Sequence, residues 1–318
     1  MRTFLFHATG VDPYENLAVE EALLARVEAN DCILYLWQNE RTVVIGKNQS
    51  ALRECRTTLL QQEGGRLARR LTGGGAVYHD LGNLNFSFLA GNAVYDEARQ
   101  TGVLLRALHE LGIPAERTGR NDLLAAGRKF SGNAYLHRKA RACHHGTLMV
   151  NVELARAERY LSPPQAKLAA RGVDSVRSRV INLQELAPEL TVSKLAVAVE
   201  AAFAEEYGTP ILLPGAALDP TAVRRLAERN AAPEWIYGEA MHADLSLEGR
   251  FPWGGVELLL TLAGNRILAC RVYTDAMDET LSAHIQTALT GAALTPQALE
   301  AALGDTGHAQ ELLQLFPF

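Results

Sequence analysis

The sequence predicts an α/β (α+β) protein with a large N-terminal domain and a small C-terminal domain. Its 318 residues allow two domains at about 100–200 residues each. Hydrophobic residues make up 48% and charged residues 21%, which is typical of a globular chain with a sizeable core. Strand and helix patterns alternate through most of the chain, and a pair of strand patterns near the C-terminus indicates the second domain.

The first elements are a strand and a capped helix. Residues 3–8 predict the strand, and Asp12 followed by proline is typical of a helix N-cap. Apolar residues then recur at helical spacing over 16–29. In this helix Glu20 and Glu21 are expected to face outward.

The remaining elements are predicted from residue composition and from the turn residues that separate the segments. Strands are predicted at 32–37, 41–45, both ends of 66–90, 121–125, 128–136 and 145–152. Helical structure is predicted at 52–63, 97–111, 153–171, 183–187 and 193–206. A hairpin turn is expected at 38–40, and an irregular apolar connection at 208–220.

The C-terminal domain is predicted from two strands at 255–275 that meet at a Gly264-Asn265 turn, with helical patterns after them. The domain boundary therefore falls within 238–252. We expect a first domain over 1–240 and a second over 250–318.

Charge and cysteine usage exclude several classes of protein. The net charge of −5 does not favour broad binding to nucleic acid or to anionic membranes. Four cysteines are scattered without a CxxC pair, which indicates free thiols in a reducing compartment. The N-terminus lacks the apolar core of a secretory signal, and no window approaches the ~18 apolar residues that span a bilayer. A soluble, cytoplasmic protein is expected.

A glycine-rich segment at 69–80 is the most informative stretch. Three consecutive glycines suit a backbone that approaches a ligand closely, and successive N–H groups in such a turn can bind an anion. Arg69 and Arg70 precede it and could bind phosphate or carboxylate. The segment matches neither a Walker loop nor a dinucleotide fingerprint. The alternative is a glycine-rich hairpin beside surface arginines.

A second segment, 128–135, carries Lys129 between Gly127 and a run of small residues. A lysine beside bound carboxylate and ATP could stabilise the charge that develops during adenylation. Asp122, next to Asn121, could hold a Mg²⁺ ion carried by ATP. Lys129 could instead be a solvated strand lysine, and Asp122 an ordinary turn residue.

A third segment contains Cys143, His144 and His145. Adjacent strand residues point to opposite faces, so the two histidines cannot easily chelate one metal ion. The spacing of these residues matches neither a zinc-protease motif nor a structural zinc site.

These segments resemble those of one known family over nearly the whole chain. The matching stretches are DPYENLAVEEALL, WQNERTVVIGKNQS, RLARRLTGGGAVYHDLGN, GRNDLLAAGRKFSGNAY, HHGTLMVN, SVRSRVINLQEL, PEWIYG and FPWGGVEL. The chain resembles the bacterial lipoate–protein ligase A family in its two-domain form. This resemblance implies a large mixed-sheet domain of the biotin/lipoate ligase type and a small α+β accessory domain, as a monomer.

The resemblance also implies a two-step reaction. Lipoate and ATP, with Mg²⁺, give lipoyl-adenylate. The lipoyl group then passes to a lysine of a 2-oxoacid dehydrogenase (E2) lipoyl domain or of the glycine-cleavage H protein. Motif matching makes Lys129 the key lysine. The nucleotide and lipoate contacts implied are Arg70, Thr72, Gly73, Gly74, Gly75, Ala76, Val77, Tyr78, His79, Asn83, Asn121, Asp122, Lys129, Ser131, Gly132 and His145.

Three rival functions stay open from the sequence. An octanoyl- or lipoyl-transferase of the same fold uses a cysteine and no ATP, with the cysteine three residues before a His-Gly pair. Here Cys143 stands only two residues before His145, and a one-residue slip turns a strand side chain to the other face. Cys143 is therefore expected to point away from Lys129. A non-catalytic lipoate-binding module is the second rival. A biotin–protein ligase is less favoured, because its arginine-rich loop is absent. We also expect the C-terminal domain to move on adenylation.

Overall fold

A computed structural model describes residues 1–119, 121–162, 179–238 and 242–318. Its strands are β1 Arg2–His7, β2 Asp31–Trp37, β3 Thr42–Ile45, β4 Arg66–Arg69, β5 Val77–His79, β6 Asn83–Gly91, β7 Ala115–Thr118, β8 Asp122–Ala125, β9 Arg128–His137, β10 Arg141–Met149, β11 Ile211–Leu212, β12 Leu245–Phe251, β13 Gly254–Ala263 and β14 Arg266–Thr274. Its α-helices are α1 Pro13–Arg26, α2 Ala51–Glu54, α3 Thr57–Gln62, α4 Glu97–Glu110, α5 Leu154–Tyr160, α6 Val192–Tyr207, α7 Pro220–Ala231, α8 Pro233–Tyr237, α9 Leu281–Leu289, α10 Pro296–Leu303 and α11 Ala309–Leu313.

The N-terminal domain is organised around an eight-stranded mixed sheet in the order β11-β1-β2-β6-β10-β9-β8-β7. β1 runs parallel to β2 and β11, whereas the neighbouring pairs from β2 to β7 are antiparallel. Every residue of β2 and β6 is buried, because helices cover both faces of the sheet. α4 and α6 pack on one face, and α1 and α7 pack on the other.

β2 and β3 do not form the hairpin that was predicted about residues 38–40. β3 lies instead in a separate three-stranded sheet, parallel to β4 and antiparallel to β5. Asn39 in the connection is fully buried and contacts Asn16 and His79, so the segment crosses between two sheets. The prediction is wrong because the residue pattern indicates a strand but does not identify its partner.

The C-terminal domain is a three-stranded antiparallel sheet, β12-β13-β14, covered by α9, α10 and α11 around its own core. The predicted turn at Gly264 joins β13 to β14, and the φ of 59° at this glycine suits its lack of a side chain. The predicted fold class, a large mixed-sheet domain with a small α+β domain, is confirmed. The boundary within 238–252 stays a prediction, and residues 239–241 lie outside the described residues.

Helix α1 begins where the sequence predicts, because the Asp12 carboxylate accepts hydrogen bonds from the backbone N–H of Tyr14 and Glu15. The expectation that Glu20 faces outward is wrong. Glu20 is 7% exposed and lies in the buried stripe of the helix with Leu17 and Leu24. Its neighbour Glu21 is partly exposed and pairs with an arginine of α7.

Several predicted elements differ from the structure in their ends, and the sequence analysis did not predict β5, β7, β11, β12, α7 or α8. The helix expected at 52–63 is broken into α2 and α3, and β10 begins four residues before the strand expected at 145–152. Of the helix expected at 153–171, α5 is described and residues 163–178 lie outside the described residues, as does Arg120. No helix among the described residues is both long and apolar enough to cross a membrane.

The two domains meet at the glycine-rich segment. The N–H of Gly74 donates to the carbonyl of Ala276 at 3.0 Å, and Asn48 exchanges hydrogen bonds with the backbone of Thr274 and Glu279. A side chain on Gly73 would stand 2.4 Å from the Ala276 carbonyl oxygen. The C-terminal domain therefore packs directly against the backbone of this segment.

Two glycine substitutions should separate close packing from backbone entropy. A Cβ at Gly91 would lie 2.3 Å from the carbonyl oxygens of Glu28 and Ala29, whereas nothing lies within 4 Å of one at Gly102 in α4. We expect Gly91→Ala to lower the free energy of unfolding by about 1–3 kcal/mol. Gly102→Ala should raise it by about 0.5–1 kcal/mol, since alanine favours the helix. Urea unfolding measures both, and equal effects would contradict the described packing.

Candidate active site

One face of the large sheet, the face that α1 covers, carries a band of polar side chains. In the β6–β10 register His145 lies opposite Ser87, and Thr147 lies opposite Asn85. Antiparallel partners share a face, and alternate residues of each strand return to it. The band therefore runs across the middle of the sheet, and contacts with α1 and β5 enclose it.

The loop 72–76 between β4 and β5 covers one end of this band. Gly74 has a φ of 87°, and a Cβ on Gly46 would lie 2.2 Å from the Gly74 carbonyl oxygen. Only glycine fits either position without a shift of backbone. Arg70 lies beneath the loop and donates to the carbonyls of Gly73 and Gly75 at 2.7 and 2.8 Å.

Arg69 and Arg70 form hydrogen bonds with backbone carbonyls and do not lie on the protein surface. Arg69 donates to the carbonyls of Gly46, Lys47 and three other residues, and Arg70 binds loop carbonyls. Burial lowers the pKa of each guanidinium to about 10. The interpretation of them as surface arginines is wrong. Their N–H groups are engaged by backbone carbonyls and by the Thr72 hydroxyl, so in this conformation the loop N–H groups and Lys129 are the donors that an anion could reach.

Lys129 stands at the other end of the band. Its Nζ lies 2.7 Å from Asp122 Oδ1, and the two side chains are 38% and 45% exposed. A Cβ on Gly132 would lie 3.1 Å from this ammonium, so glycine leaves room for the lysine to cross the sheet. Asn121 accepts hydrogen bonds from Asn133 through its carbonyl and holds the β8–β9 edge. The structure thus brings together Lys129, Asp122 and Gly132 as an accessible group.

Asp122 is the one predicted metal ligand. Among the described residues it belongs to no cluster of three potential metal-binding side chains, and Lys129 occupies its carboxylate. Mg²⁺ needs only one or two protein carboxylates when phosphate oxygens and water complete its octahedron. An accessible single carboxylate therefore fits a Mg²⁺ ion brought by ATP, provided that Lys129 exchanges partners.

His145 and Thr72 join the loop to the sheet. Thr72 Oγ1 lies 2.8 Å from His145 Nε2, and Arg70 Nε donates to the same hydroxyl at 2.9 Å. On the far side of the imidazole, Nδ1 lies 2.9 Å from the carboxylate of Glu20. The sequence interpretation missed Glu20. The available signal was its position in the helical stripe of α1 that carries the apolar residues.

The residues of β5 line the loop from the other side. Tyr78 packs against Tyr160 with ring centroids 5.6 Å apart, while Ala76 and Val77 are partly buried beside it. His79 is fully buried next to Asn39, and burial lowers its pKa to about 3.

Several buried polar atoms near the loop have no hydrogen-bond partner among the described residues. They are Nε2 of His79, Oδ1 of Asn83 and Nδ2 of Asn85. Asn83 donates to Asn85 at 2.9 Å, which leaves one atom of each amide unpaired. Buried polar groups are normally paired, so these atoms suit contacts with a polar ligand. Ser131 lies on the opposite face, where Asn133 donates to it, and the structure does not bring it to the band.

The two histidines of β10 do point to opposite faces, as expected. His144 faces α4 and contacts Gln100 and Asn133, whereas His145 faces α1. Burial lowers the pKa of His144 to about 3. Its ring and partners form part of the core rather than part of the polar band.

The expectation that Cys143 faces away from Lys129 is wrong. Cys143 shares a face with His145, two residues on, and the β9 partner of His145, Ala134, shares that face with Gly132. The Lys129 ammonium lies against Gly132. The Cys143 thiol is therefore isolated because it is buried, and not because it lies on the opposite face of the strand.

Cys143 is 1% exposed and donates toward Glu20 at 3.7 Å. Burial, with the nearby carboxylate adding to it, raises the pKa of the Cys143 thiol well above its ordinary value. Since the thiolate is the nucleophile, this environment disfavours acyl transfer through Cys143.

All four cysteines should resist modification in the native protein. Cys32, Cys55, Cys143 and Cys270 are buried, and burial raises the thiol pKa of each. We expect no fast-reacting thiol with an aromatic disulfide reagent at pH 8, and four after unfolding in urea. One fast thiol that is lost in Cys143→Ser would contradict the described burial and favour the transferase.

Burial of His79 and His144 should make stability fall in acid. His144 has a native pKa of about 3, against about 6.5 in an unfolded chain. Between these values the unfolded state binds a proton that the native state excludes, so lowering the pH favours unfolding. Replacing His144 by glutamine should reduce the slope of unfolding free energy against pH by about 1.4 kcal/mol per unit over pH 4–6. Urea unfolding at several pH values tests this, and an unchanged slope in His144→Gln would contradict the described burial.

Two family models match the chain. The model for the lipoyl protein ligase A/B catalytic domain covers residues 12–204. The model for the bacterial lipoate protein ligase C-terminus covers residues 240–315.

Solved structures agree with these matches. P. falciparum LipL1 in complex with lipoate is 25% identical, has a TM-score of 0.83 and covers 98% of each chain. A bi-partite lipoate protein ligase from Thermoplasma acidophilum, studied with its E2 lipoyl domain, is 26% identical with a TM-score of 0.66, over 77% of this chain and 100% of that one. Lipoate-protein ligase A bound with ATP is 26% identical with a TM-score of 0.64, over 74% of this chain and 98% of that one. Because the catalytic-domain model covers more than half of its residues, the chain belongs to the lipoyl protein ligase A/B family.

Proposed function

We propose that this protein is an ATP-dependent lipoate–protein ligase. It converts lipoate and ATP into lipoyl-adenylate and pyrophosphate, and then transfers the lipoyl group to a lysine ε-amine of an acceptor domain. Adenylation is needed because a carboxylate oxygen is a poor leaving group, whereas the adenylate is a mixed anhydride whose phosphate leaves readily.

One contrast carries this proposal: the Lys129 ammonium is accessible on the loop side of the sheet, while the Cys143 thiol on the same face is sealed. A ligase of this kind needs a cation for the carboxylate and α-phosphate, and the transferase needs a reactive thiol. Lys129 would leave Asp122 and hold the carboxylate and α-phosphate oxygens, which stabilises the charge that develops at phosphorus. Asp122 would then be available to the Mg²⁺ ion of ATP, which neutralises phosphate charge.

The glycine loop supports the same reaction. Its backbone N–H groups are the donors left for phosphate, since Arg70 binds the loop through carbonyls. The N–H of Gly74, however, donates to Ala276 of the C-terminal domain. We therefore propose that the C-terminal domain leaves the loop before Gly74 binds phosphate. Small-angle scattering with and without lipoate and ATP tests this motion, and identical curves would count against it.

We propose an E2 lipoyl domain as the acceptor, as suggested by the archaeal ligase that is described with such a domain. The glycine-cleavage H protein is a second proposed acceptor, because the resemblance to the lipoate–protein ligase A family implies it. Free, buried cysteines suit the reducing cytoplasm, where we propose that the reaction occurs. A monomer that binds neither nucleic acid nor membrane stays our expectation from the sequence.

The mass of an acceptor domain tests the proposal. We expect apo E2 lipoyl domain to gain one lipoyl mass in intact mass spectrometry when incubated with this protein, lipoate, Mg²⁺ and ATP, and no gain without ATP. A gain from an octanoylated carrier protein without ATP would establish the transferase instead. Lipoate binding with no transfer under any condition would indicate a binding module.

Removing the Lys129 ammonium should slow adenylation. We expect Lys129→Ala to reduce lipoate-dependent ATP–pyrophosphate exchange by about 10²–10³-fold, the loss typical of one preorganised electrostatic group. The control is Lys139→Ala, which removes an exposed lysine from the β9–β10 turn and should leave the rate unchanged. Equal rates for Lys129→Ala and wild type would remove this lysine from the reaction.

A further inference from the structure

The Glu20 carboxylate lies in the core of the large domain and collects several donors. His145 Nδ1 lies 2.9 Å from Oε2, Ser87 Oγ donates to Oε2 at 2.9 Å, and the Cys143 thiol points at Oε1. Trp37 Nε1 in turn donates to Ser87 Oγ at 3.0 Å. Burial alone would raise the pKa of Glu20, but His145, Ser87 and Cys143 outweigh burial and hold it below the ordinary value.

The hydrogen-bond directions in this cluster follow from Arg70 at its other end. A guanidinium only donates, so the Thr72 hydroxyl accepts from Arg70 Nε. Thr72 is 1% exposed, and among the described residues its remaining partner is His145 Nε2. Every donor in the cluster has an acceptor when the hydroxyl proton goes to Nε2 and His145 carries a proton on Nδ1, donated to Glu20.

This chain of bonds ends on the glycine loop. Arg70 donates through Nε to Thr72 and through Nη2 to the carbonyls of Gly73 and Gly75. If Nδ1 of His145 lost its acceptor, the ring could carry its proton on Nε2. Nε2–H and Arg70 Nε–H would then both point at Thr72 Oγ1, and the hydroxyl proton would have no acceptor. The guanidinium would keep its bonds to the carbonyls of Val44, Gly73 and Gly75, but its Nε–H would share the hydroxyl oxygen with a second donor.

We propose that Glu20 is a positioning residue for the glycine loop: it holds His145 in the Nδ1–H tautomer, so that Thr72 can accept from Arg70. Three side chains, those of His145, Thr72 and Arg70, lie between Glu20 and the loop. The proposal rests on the ligase function for its activity test. Its other test, the protonated nitrogen of His145, does not depend on any activity.

A purely structural role for Glu20 predicts different effects of substitution than the positioning role does. A buried carboxylate can balance the charge of buried Arg70, and its loss would lower stability whatever the state of His145. The positioning role requires an acceptor at Nδ1. The glutamine of a Glu20→Gln protein can still accept there through its amide oxygen, whereas an apolar side chain of similar length cannot.

The experiment compares Glu20→Met, Glu20→Gln and Glu21→Gln. Glu21, the next residue of α1, pairs with Arg229 away from the cluster and supplies the matched control. We expect Glu20→Met to lower kcat/KM for lipoate-dependent ATP–pyrophosphate exchange by about 10–100-fold, which lies within the roughly 2–160-fold that measured couplings between contacting residues correspond to. Glu20→Gln should retain most of the rate, and Glu21→Gln should match wild type.

A double-mutant cycle tests whether Glu20 acts through His145. In a His145→Gln background, Glu20→Met should cost less than about 3-fold, because the partner that it orients is already gone. Losses that multiply in the double variant, or a Glu20→Met protein as active as wild type, would overturn the proposal. If wild type shows no exchange, the ligase function fails and the nitrogen measurement alone decides the positioning role.

That measurement is ¹⁵N NMR of histidine-labelled protein, with the His145 signals assigned by their loss in His145→Gln. We expect protonated Nδ1 and unprotonated Nε2 in wild type and in Glu20→Gln, and a shift of the proton toward Nε2 in Glu20→Met. An unchanged tautomer in folded Glu20→Met would show that Glu20 does not set it. A Glu20→Met protein that fails to fold leaves wild type and Glu20→Gln as the test, and protonated Nε2 in either would contradict the proposal.

Discussion

The guanidinium of Arg70, buried under the glycine loop, supports the arrangement of the whole site. Three consecutive glycines have no side chains with which to pack, so their conformation depends on where their carbonyls find donors. Nη2 of Arg70 supplies donors to two of those carbonyls, and Gly46 allows the loop to approach within contact of β3. Without a buried donor here, the loop carbonyls would be unpaired or the loop would adopt another shape.

The buried Arg70 cation needs an opposite charge to balance it, and in this fold that charge lies several side chains away. Glu20 on α1 is the carboxylate nearest to it in the hydrogen-bonded cluster, with Thr72 and His145 between the two charges. The charges therefore balance inside the core while neutral groups fix the geometry. The same cluster seals Cys143, which removes a thiol from a face that also carries an accessible lysine.

The contact between the domains uses the same loop. The Gly74 N–H that could bind an anion instead binds Ala276, and Arg138 of the large domain pairs with Glu279 beside it at 2.8 Å. Any ligand that needs this N–H competes with the C-terminal domain. A ligand that took this donor would be coupled to the domain contact, because one N–H group cannot donate fully to both.

Local chemistry in the sequence determined much of this protein. Some features depend only on interactions within a few residues. Examples are the Asp12 cap, the β13–β14 turn at Gly264 and the end of α4 before Gly112. The motifs around the glycine loop and Lys129 indicated the family, which the matching models confirm. Such features are readable because neighbours along the chain remain neighbours in the fold.

The tertiary structure decided which surfaces are covered. Four features depend on segments that are distant in sequence. They are the burial of Glu20, the place of β3 in a second sheet, the burial of Arg69 and Arg70, and the burial of the Cys143 thiol. Burial of a side chain is a property of the partner that packs on it, and the residue pattern of one segment does not name that partner. The sequence by itself therefore determined the chemical groups and the local elements, whereas long-range packing decided which groups are available to react.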